Sequence, residues 1–272
     1  MKISVLISVY YKEKPEYLQE ALESILNQTY MPSQIVIIKD GEVTQELENV
    51  LNIYKEKFYN LIDIYKLEEH LGLGEALKFG VNKCKYEYIA RMDSDDIAVK
   101  DRFEKQVEYL KENPQVDILG GYIEEYDEEL KKLIDIRKIP LSNKEIRKKL
   151  KIISPFNHGT VIFKKQKVLE AGNYNNCIME DYDLWARMIL KNAQTANLAK
   201  VLIKSRTGKT MYRKRSTKKY IQGIYQIERN LLNYKIINKV EYFYNVITRI
   251  LIAKTPISMK IWIYPHIIRK IN

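Results

Sequence analysis

Four short apolar runs alternate with segments of helical spacing across the first 92 residues, and that rhythm limits what the chain can become. Residues 3–9, 35–38, 61–67 and 86–92 each read as a strand buried on both faces. Between the first two lie Leu18, Ala21, Leu22, Ile25 and Leu26, and between the next two Leu47, Val50, Leu51 and Tyr54, both at helical spacing. A third helix opens at Gly72-Leu73-Gly74 and runs to about Cys84. The pattern predicts right-handed βαβ units and an α/β fold with a mostly parallel, Rossmann-like sheet flanked by helices. Such sheets bind ligands outside the carboxyl ends of their strands.

Four features fall at those ends: Tyr10-Tyr11, Asp40-Gly41, the Gly72/Gly74 turn and Asp93-Ser94-Asp95-Asp96. The last places three carboxylates within four residues, where like charges repel unless a cation neutralises them. A hard divalent metal suits the task, because it takes oxygen ligands and shares its open positions with phosphate. The plainer alternative is a solvated loop whose aspartates cap the next helix. Convergence of four separate segments on one edge favours the ligand site.

Beyond the acids, Phe103, Val107 and Leu110 continue helically to Asn113-Pro114, and residues 118–126 and 130–136 read as a hairpin. Ser142 to Glu145 is a capping box. Ser154 to Phe163 is a polar turn running into a strand, and Glu180-Asp181-Tyr182-Asp183-Leu184-Trp185 opens a helix. Acids in a first turn also suit the helix dipole without any chemistry.

Charge separates the last quarter from the rest. Residues 201–272 carry 16 Lys and Arg against 2 Asp and Glu, net +14. The chain totals are 46 and 35, which leaves 30 against 33 in residues 1–200, net −3. Tyr220, Ile224, Ile227, Leu231, Leu232 and Tyr234 share a helical face, 240–253 is apolar with polar breaks, and 257–268 mixes Trp262 and Tyr264 with Ile and Lys. Apolar faces flanked by Lys and Arg suit an anionic membrane interface. A helical subdomain packed on the sheet, or a homodimer contact, is the alternative. The division expected is 1–215 as the body, in halves 1–96 and 97–215, with 216–272 as a basic helical tail. Residues 1–9 read as a strand rather than a signal peptide, and no apolar stretch of about 18 or more residues predicts a spanning helix. Two cysteines without metal-motif spacing suit a reducing compartment.

The motifs in order resemble those of family 2 inverting glycosyltransferases with a GT-A fold, in particular bacterial enzymes that build capsule, O-antigen and exopolysaccharide. The residues carrying the resemblance are Ser4 to Tyr10, Gln28-Thr29-Tyr30, Asp40-Gly41, Gly72 to Leu77, Ala90 to Asp96 (the D-x-D segment) and Glu180 to Trp185. It covers residues 3–215 and implies that 1–96 is the nucleotide-binding half and 97–215 the acceptor-binding half. Leu71, preceded by His70, stands where the family often has Asn, and Tyr212 to Arg215 stands where many relatives carry a His.

The resemblance implies transfer of a hexose or N-acetylhexosamine from a UDP-sugar to a hydroxyl of a growing glycan on a polyprenyl diphosphate. It implies Mn²⁺ or Mg²⁺ on Asp95, with Asp93 as the second ligand, reaching the metal through water or facing the ribose, and leaves Asp96 to cap the following helix. Ser8, Val9 and Tyr10 would face the base and Asp40 the uracil or ribose. Gly72, Gly74 and Ser94 would complete the donor site, with Arg91 either against the nucleotide or paired with the acids. Asp181 is the expected general base and Glu180 an acceptor ligand. His158, Trp185, Arg213 and Arg215 are expected at the acceptor or diphosphate, Arg213-Lys214-Arg215 as a lid. A cytoplasmic enzyme on the inner face of the bacterial plasma membrane follows.

Two other classes compete. A nucleotidyltransferase acting on sugar phosphates would need a Gly-rich basic N-terminal loop, and residues 10–15 contain no glycine. A nucleic-acid-binding protein would carry its charge in a groove of the fold rather than in an apolar tail, so no nucleic-acid partner is expected.

Overall fold

The structure, a computed structural model, describes residues 1–208, 213, 215–256 and 259. Its first half is β1 (Ile3–Val9), α1 (Pro15–Leu26), β2 (Gln34–Lys39), α2 (Gln45–Lys57), β3 (Ile62–Lys66), α3 (Leu73–Lys83) and β4 (Tyr88–Met92). These four strands are parallel, in the order β3-β2-β1-β4. Successive residues point to opposite faces of a strand. Leu6, Val36, Ile38 and Ile89 therefore enter one core layer, while Val5, Ile7, Ile35, Ile37 and Ala90 enter the other. Burial on both sides removes a place for polar residues, which is why these strands read as continuous apolar runs.

The second half continues with β5 (Ile97–Ala98), α4 (Arg102–Glu112), β6 (Ile118–Tyr126) and β7 (Leu133–Arg137). Then follow α5 (Asn143–Lys149), β8 (Ile162–Lys164), α6 (Lys165–Glu170), α7 (Glu180–Leu190) and β9 (Thr195–Arg206). The sheet extends as β4-β8-β6-β9-β5, with β7 on β6. Its pairing is mixed here: β8 runs antiparallel to β4 and β6, whereas β9 runs parallel to β6. The hairpin of β6 and β7 and the capping box on Ser142 form as expected. β5, α6 and β9 are additions to the sequence reading. Asn197, Lys200 and Lys204 interrupt the apolar pattern of β9, and Asn197 turns inward to donate to the carbonyls of Pro140 and Pro155.

Two further helices, α8 (Lys218–Asn233) and α9 (Lys239–Lys254), follow the basic stretch. Their inner faces pack on the body. Ile227, Leu231 and Ile237 join the core layer that contains Tyr182, Trp185 and Met188. Asp183, wholly buried on α7, accepts hydrogen bonds from Asn230 (2.9 Å) and Tyr234 (3.2 Å) besides those from Asn175 and Arg187. Glu228, equally buried, pairs with Arg249 at 2.6 Å and accepts from Asn245. The packed-subdomain alternative therefore describes the inner faces of these helices. The expected apolar stretch 257–268 lies outside the described residues, apart from Met259. No helix among the described residues is long and apolar enough to cross a membrane.

Removing one partner of a buried ion pair strands the other, at a cost of about 3–5 kcal/mol. Glu228→Ala is accordingly expected to lower unfolding stability by about 3 kcal/mol in a urea titration. An unchanged midpoint would show that the α8–α9 contact contributes nothing to the body.

Candidate active site

The site forms where β1, β2 and β4 end and the amino terminus of α7 arrives. At the first wall, the Asp40 carboxylate is buried and accepts from the backbone N–H of Leu71 (2.8 Å) and Gly72 (3.0 Å). His70 Nδ1 lies 2.8 Å from its other side. Gly72 has φ +97°, a left-handed conformation that a side chain resists, and so permits both N–H groups to converge. A Cβ on Gly74 would meet the Asn175 carbonyl at 2.4 Å, so this glycine seats α3 against the 175 loop. The expectation that Asp40 faces uracil or ribose meets an inward-turned carboxylate. Exposed beside it are rings: His70 stacks on Tyr10 at 5.9 Å, with Tyr11 edge-on at 5.7 Å. Ser8 is half-buried, while the Val9 carbonyl is taken by the Asp40 N–H at 2.8 Å.

The acidic wall is built around Arg91. This side chain is buried on β4, its Nη1 pairs with Asp93 and its Nε has no hydrogen-bond partner. Gly159 faces Asp93, and a Cβ there would stand 2.8 Å from Asp93 Oδ2. Ser94 donates to Glu13 at 2.5 Å. Burial, then the charges of Asp93 and Glu13, push Asp95 up to about 7. Asp96 is held well above the usual carboxylate range by burial and by Asp93 and Asp95. It does not cap α4, which starts at Arg102 after Asp101. Asp96 instead accepts from the backbone N–H of Arg206 at 3.2 Å. The expected helix cap is thus a sheet-edge contact, because β9 runs past this point.

Opposite stand Glu180 and Asp181, in the first turn of α7 behind Met179 at φ 72°. Burial, then Asp181, raises Glu180 to about 8. Asp181 is raised by burial, and the Tyr182 N–H, Arg91, Arg137 and Ser154 oppose that rise. Ser154 Oγ lies 3.4 Å from its carboxylate. His158 sits between the walls, Nε2 3.1 Å from the Tyr174 hydroxyl and Nδ1 3.9 Å from Glu180. Burial and the Arg91 charge keep it well below the ordinary histidine range, hence neutral. Trp185, expected at the acceptor or diphosphate, is wholly buried. Its ring packs on Phe156 and Phe163 and meets His158 edge-on at 6.0 Å, so it supports the site from within the core.

Glu13, Tyr174 and Arg206 were not legible as site residues. Arg206 donates to the Asp95 carbonyl and to Glu20, and its guanidinium lies 4.0 Å over the Tyr17 ring. Only the strand β9, itself missed, brings it there. Arg213 is exposed and Arg215 half-buried, and Lys214 lies outside the described residues. A groove of about 550 Å³ lined by Met1, Lys2, Tyr86 and Lys164 lies at the amino ends of β1 and β4, away from all of these groups.

Among the described residues no three His, Cys, Asp or Glu side chains converge as a complete metal cage. What fits is a shared ion. Asp93 and Asp95 are hard oxygen donors, and burial and the Asp93 charge raise the proton affinity of Asp95, as in a cluster short of positive charge.

The sequence profile of "Glycosyl transferase family 2" matches residues 4–172. The chain is 42% identical over 229 residues to the amylovoran biosynthesis glycosyltransferase AmsE of Erwinia amylovora, covering 83% of this chain and 84% of that one. It is 36% identical over 270 residues to the UDP-Gal:alpha-D-GlcNAc-diphosphoundecaprenol beta-1,3-galactosyltransferase of Escherichia coli, covering 99% and 97%. The solved mannosyltransferase PcManGT of Pyrobaculum calidifontis, in complex with GDP-Man and Mn²⁺, superposes with a TM-score of 0.65 at 14% identity, covering 96% of this chain and 72% of that one. Such likeness gives the GT-A fold. The matched profile, the two relatives and the ordered strand-end motifs agree: this chain belongs to glycosyl transferase family 2 and is a glycosyltransferase.

Proposed function

We propose that the protein transfers a hexose or N-acetylhexosamine from a UDP-sugar to a hydroxyl of a growing bacterial surface glycan carried on a polyprenyl diphosphate, with inversion. The carrying observation is the position of Arg91. Its one buried guanidinium acts at once on Asp93 and Asp95 and on Glu180 and Asp181. Two acid pairs facing a common cation form a cleft with a diphosphate side and an acceptor side. The Escherichia coli relative, named for a UDP-Gal donor and a diphosphoundecaprenol acceptor, supports the choice of substrates.

Donor binding is assigned to the Tyr10, Tyr11 and His70 rings for the base, ordered by Asp40 and the Gly72 turn. Asp95, with Asp93 beside it, would hold Mn²⁺ or Mg²⁺, which supplies charge neutralisation at the departing diphosphate. Arg91 restrains Asp93 and keeps the cleft from carrying uncompensated negative charge. On the acceptor side Glu180 and Asp181 titrate as a pair. Burial and Asp181 push Glu180 up to about 8, and to Glu180 is assigned the neutral form that donates to an acceptor oxygen. Asp181 is left as the base that takes the hydroxyl proton while that oxygen attacks the anomeric carbon. Neutral His158, held 3.1 Å from the Tyr174 hydroxyl, stands 3.9 Å from Glu180 and packs beside it without a hydrogen bond. The basic C-terminal stretch keeps the enzyme at the anionic cytoplasmic face of the membrane, where a lipid-linked acceptor resides.

The assay is UDP release from a panel of UDP-sugars with a polyprenyl-diphosphate-linked sugar as acceptor, with Mn²⁺ and with chelator. Release of inorganic diphosphate instead would identify a nucleotidyltransferase and overturn the reading. Asp95→Ala is expected to abolish the Mn²⁺-dependent part of UDP-sugar binding in calorimetry. Asp181→Asn should retain that binding and lose turnover by roughly 10²–10⁴-fold, and normal turnover in this variant would remove Asp181 as the base. The pH dependence has a definite sign. Asp181 works ionised, so kcat/KM should climb on the acid side as its raised pKa is passed. Arg91 lowers that pKa, so Arg91→Met should displace the acid limb to higher pH. A limb that stays in place would disconnect Arg91 from the base.

A further inference from the structure

The two faces of α9 differ. Inward, Val246 and Ala253 are buried, while Asn245 and Arg249 bond to Glu228. Outward, Val240, Phe243, Tyr244, Ile247 and Leu251 are each between 56% and 78% exposed. Steps of three and four residues put all five on one stripe. Exposed Lys239 and Lys254 stand at the two ends of the stripe, and no acidic residue of the helix is among its exposed positions. Glu241 is turned aside, closing the capping box with Asn238 and pairing with Lys151.

We propose that this stripe is the surface by which the protein docks on an anionic lipid bilayer. An apolar face with cationic ends matches the boundary between acyl chains and anionic headgroups, where each lysine stays in the headgroup layer. The surrounding charge agrees, since residues 201–272 carry net +14. A second copy of the chain is a poorer occupant. Two such stripes paired antiparallel would bring Lys239 of one against Lys254 of the other, and paired parallel would bring each lysine against its twin. The one acid beside the face, Glu241, is engaged by Lys151 and the Asn238 cap, which leaves both arrangements without an offset.

Docking through this helix also orients the enzyme. Arg249 reaches from α9 over the Tyr182 ring at 5.7 Å and to the Met179 sulfur at 3.4 Å, and Asn230 and Tyr234 of α8 hold Asp183. These contacts flank Glu180 and Asp181, so the acceptor side of the cleft is rigidly joined to the docking helix. For its purpose the inference rests on the lipid-linked acceptor, whereas the binding itself is measurable without acceptor or donor.

The test is co-sedimentation of the full-length protein with vesicles of phosphatidylcholine and phosphatidylglycerol, and with vesicles of phosphatidylcholine alone. The unaltered chain should partition at least tenfold more strongly to the anionic vesicles. The triple variant Phe243→Ser/Ile247→Ser/Leu251→Ser should lose at least tenfold of that partitioning and keep its melting temperature, because the altered side chains are exposed. Lys239→Glu/Lys254→Glu, which leaves the apolar stripe whole, should weaken anionic binding alone. Unchanged partitioning in both variants would overturn the proposal. So would a native dimer in size-exclusion chromatography that the triple variant dissolves while still binding vesicles. Vesicle binding that behaves as expected, alongside no UDP release with any lipid-linked acceptor, would sink the acceptor reading and leave the docking surface standing.

Discussion

The structure depends on one guanidinium placed where the carboxylates crowd. Arg91 is buried at the end of β4, and its charge opposes the raised proton affinity of Asp95, Glu180 and Asp181 alike. Burial alone would leave these acids protonated and inert, and four of them without a cation would push the strand ends apart. Beneath it a second arginine, Arg102, is also fully buried and donates to the Arg91 carbonyl at 2.8 Å. Its own burial, and then the Arg91 charge, bring it down to about 9. The two cations form a positive floor under an acidic cleft.

That floor explains why the acids separate into unequal roles. Asp93 is held by Arg91 and Asp96 by the Arg206 backbone, while burial and its acidic neighbours Asp93 and Glu13 raise Asp95. On the facing wall, Asp183 lies one helical step behind Glu180 and Asp181. It is consumed by Asn175, Arg187, Asn230 and Tyr234. Two acids of one short motif thus serve the cleft, and the third fastens α7 to α8.

Much of this was legible from the chain alone, and the remainder was not for physical reasons. The parallel half of the sheet is visible because double burial forces unbroken apolar runs such as Val5-Leu6-Ile7. The strand ends then nominate the site with no further information. β9 hid because its inward positions include Asn197, a buried amide satisfied only by carbonyls distant in sequence. With β9 went Arg206. Trp185 belongs to a recognisable motif, but motif membership does not distinguish a ring that touches ligand from one that supports a histidine. Asp40 shows the same difficulty: its position was evident, its direction was not.

The joining of α8 to α7 bears on how the enzyme comes into being during synthesis. The parallel part of the sheet, β3-β2-β1-β4, is built from neighbours in sequence, so all its strand pairs are available once β4 emerges. The layer behind Glu180 and Asp181 lacks Ile227, Leu231 and Ile237 until more than 200 residues have been made. A nascent chain therefore completes the wall at the ends of β1, β2 and β4 early and the α7 wall late. The α7 wall is completed only together with the helices that present the apolar stripe, so both features of the fold arise at the same stage of synthesis.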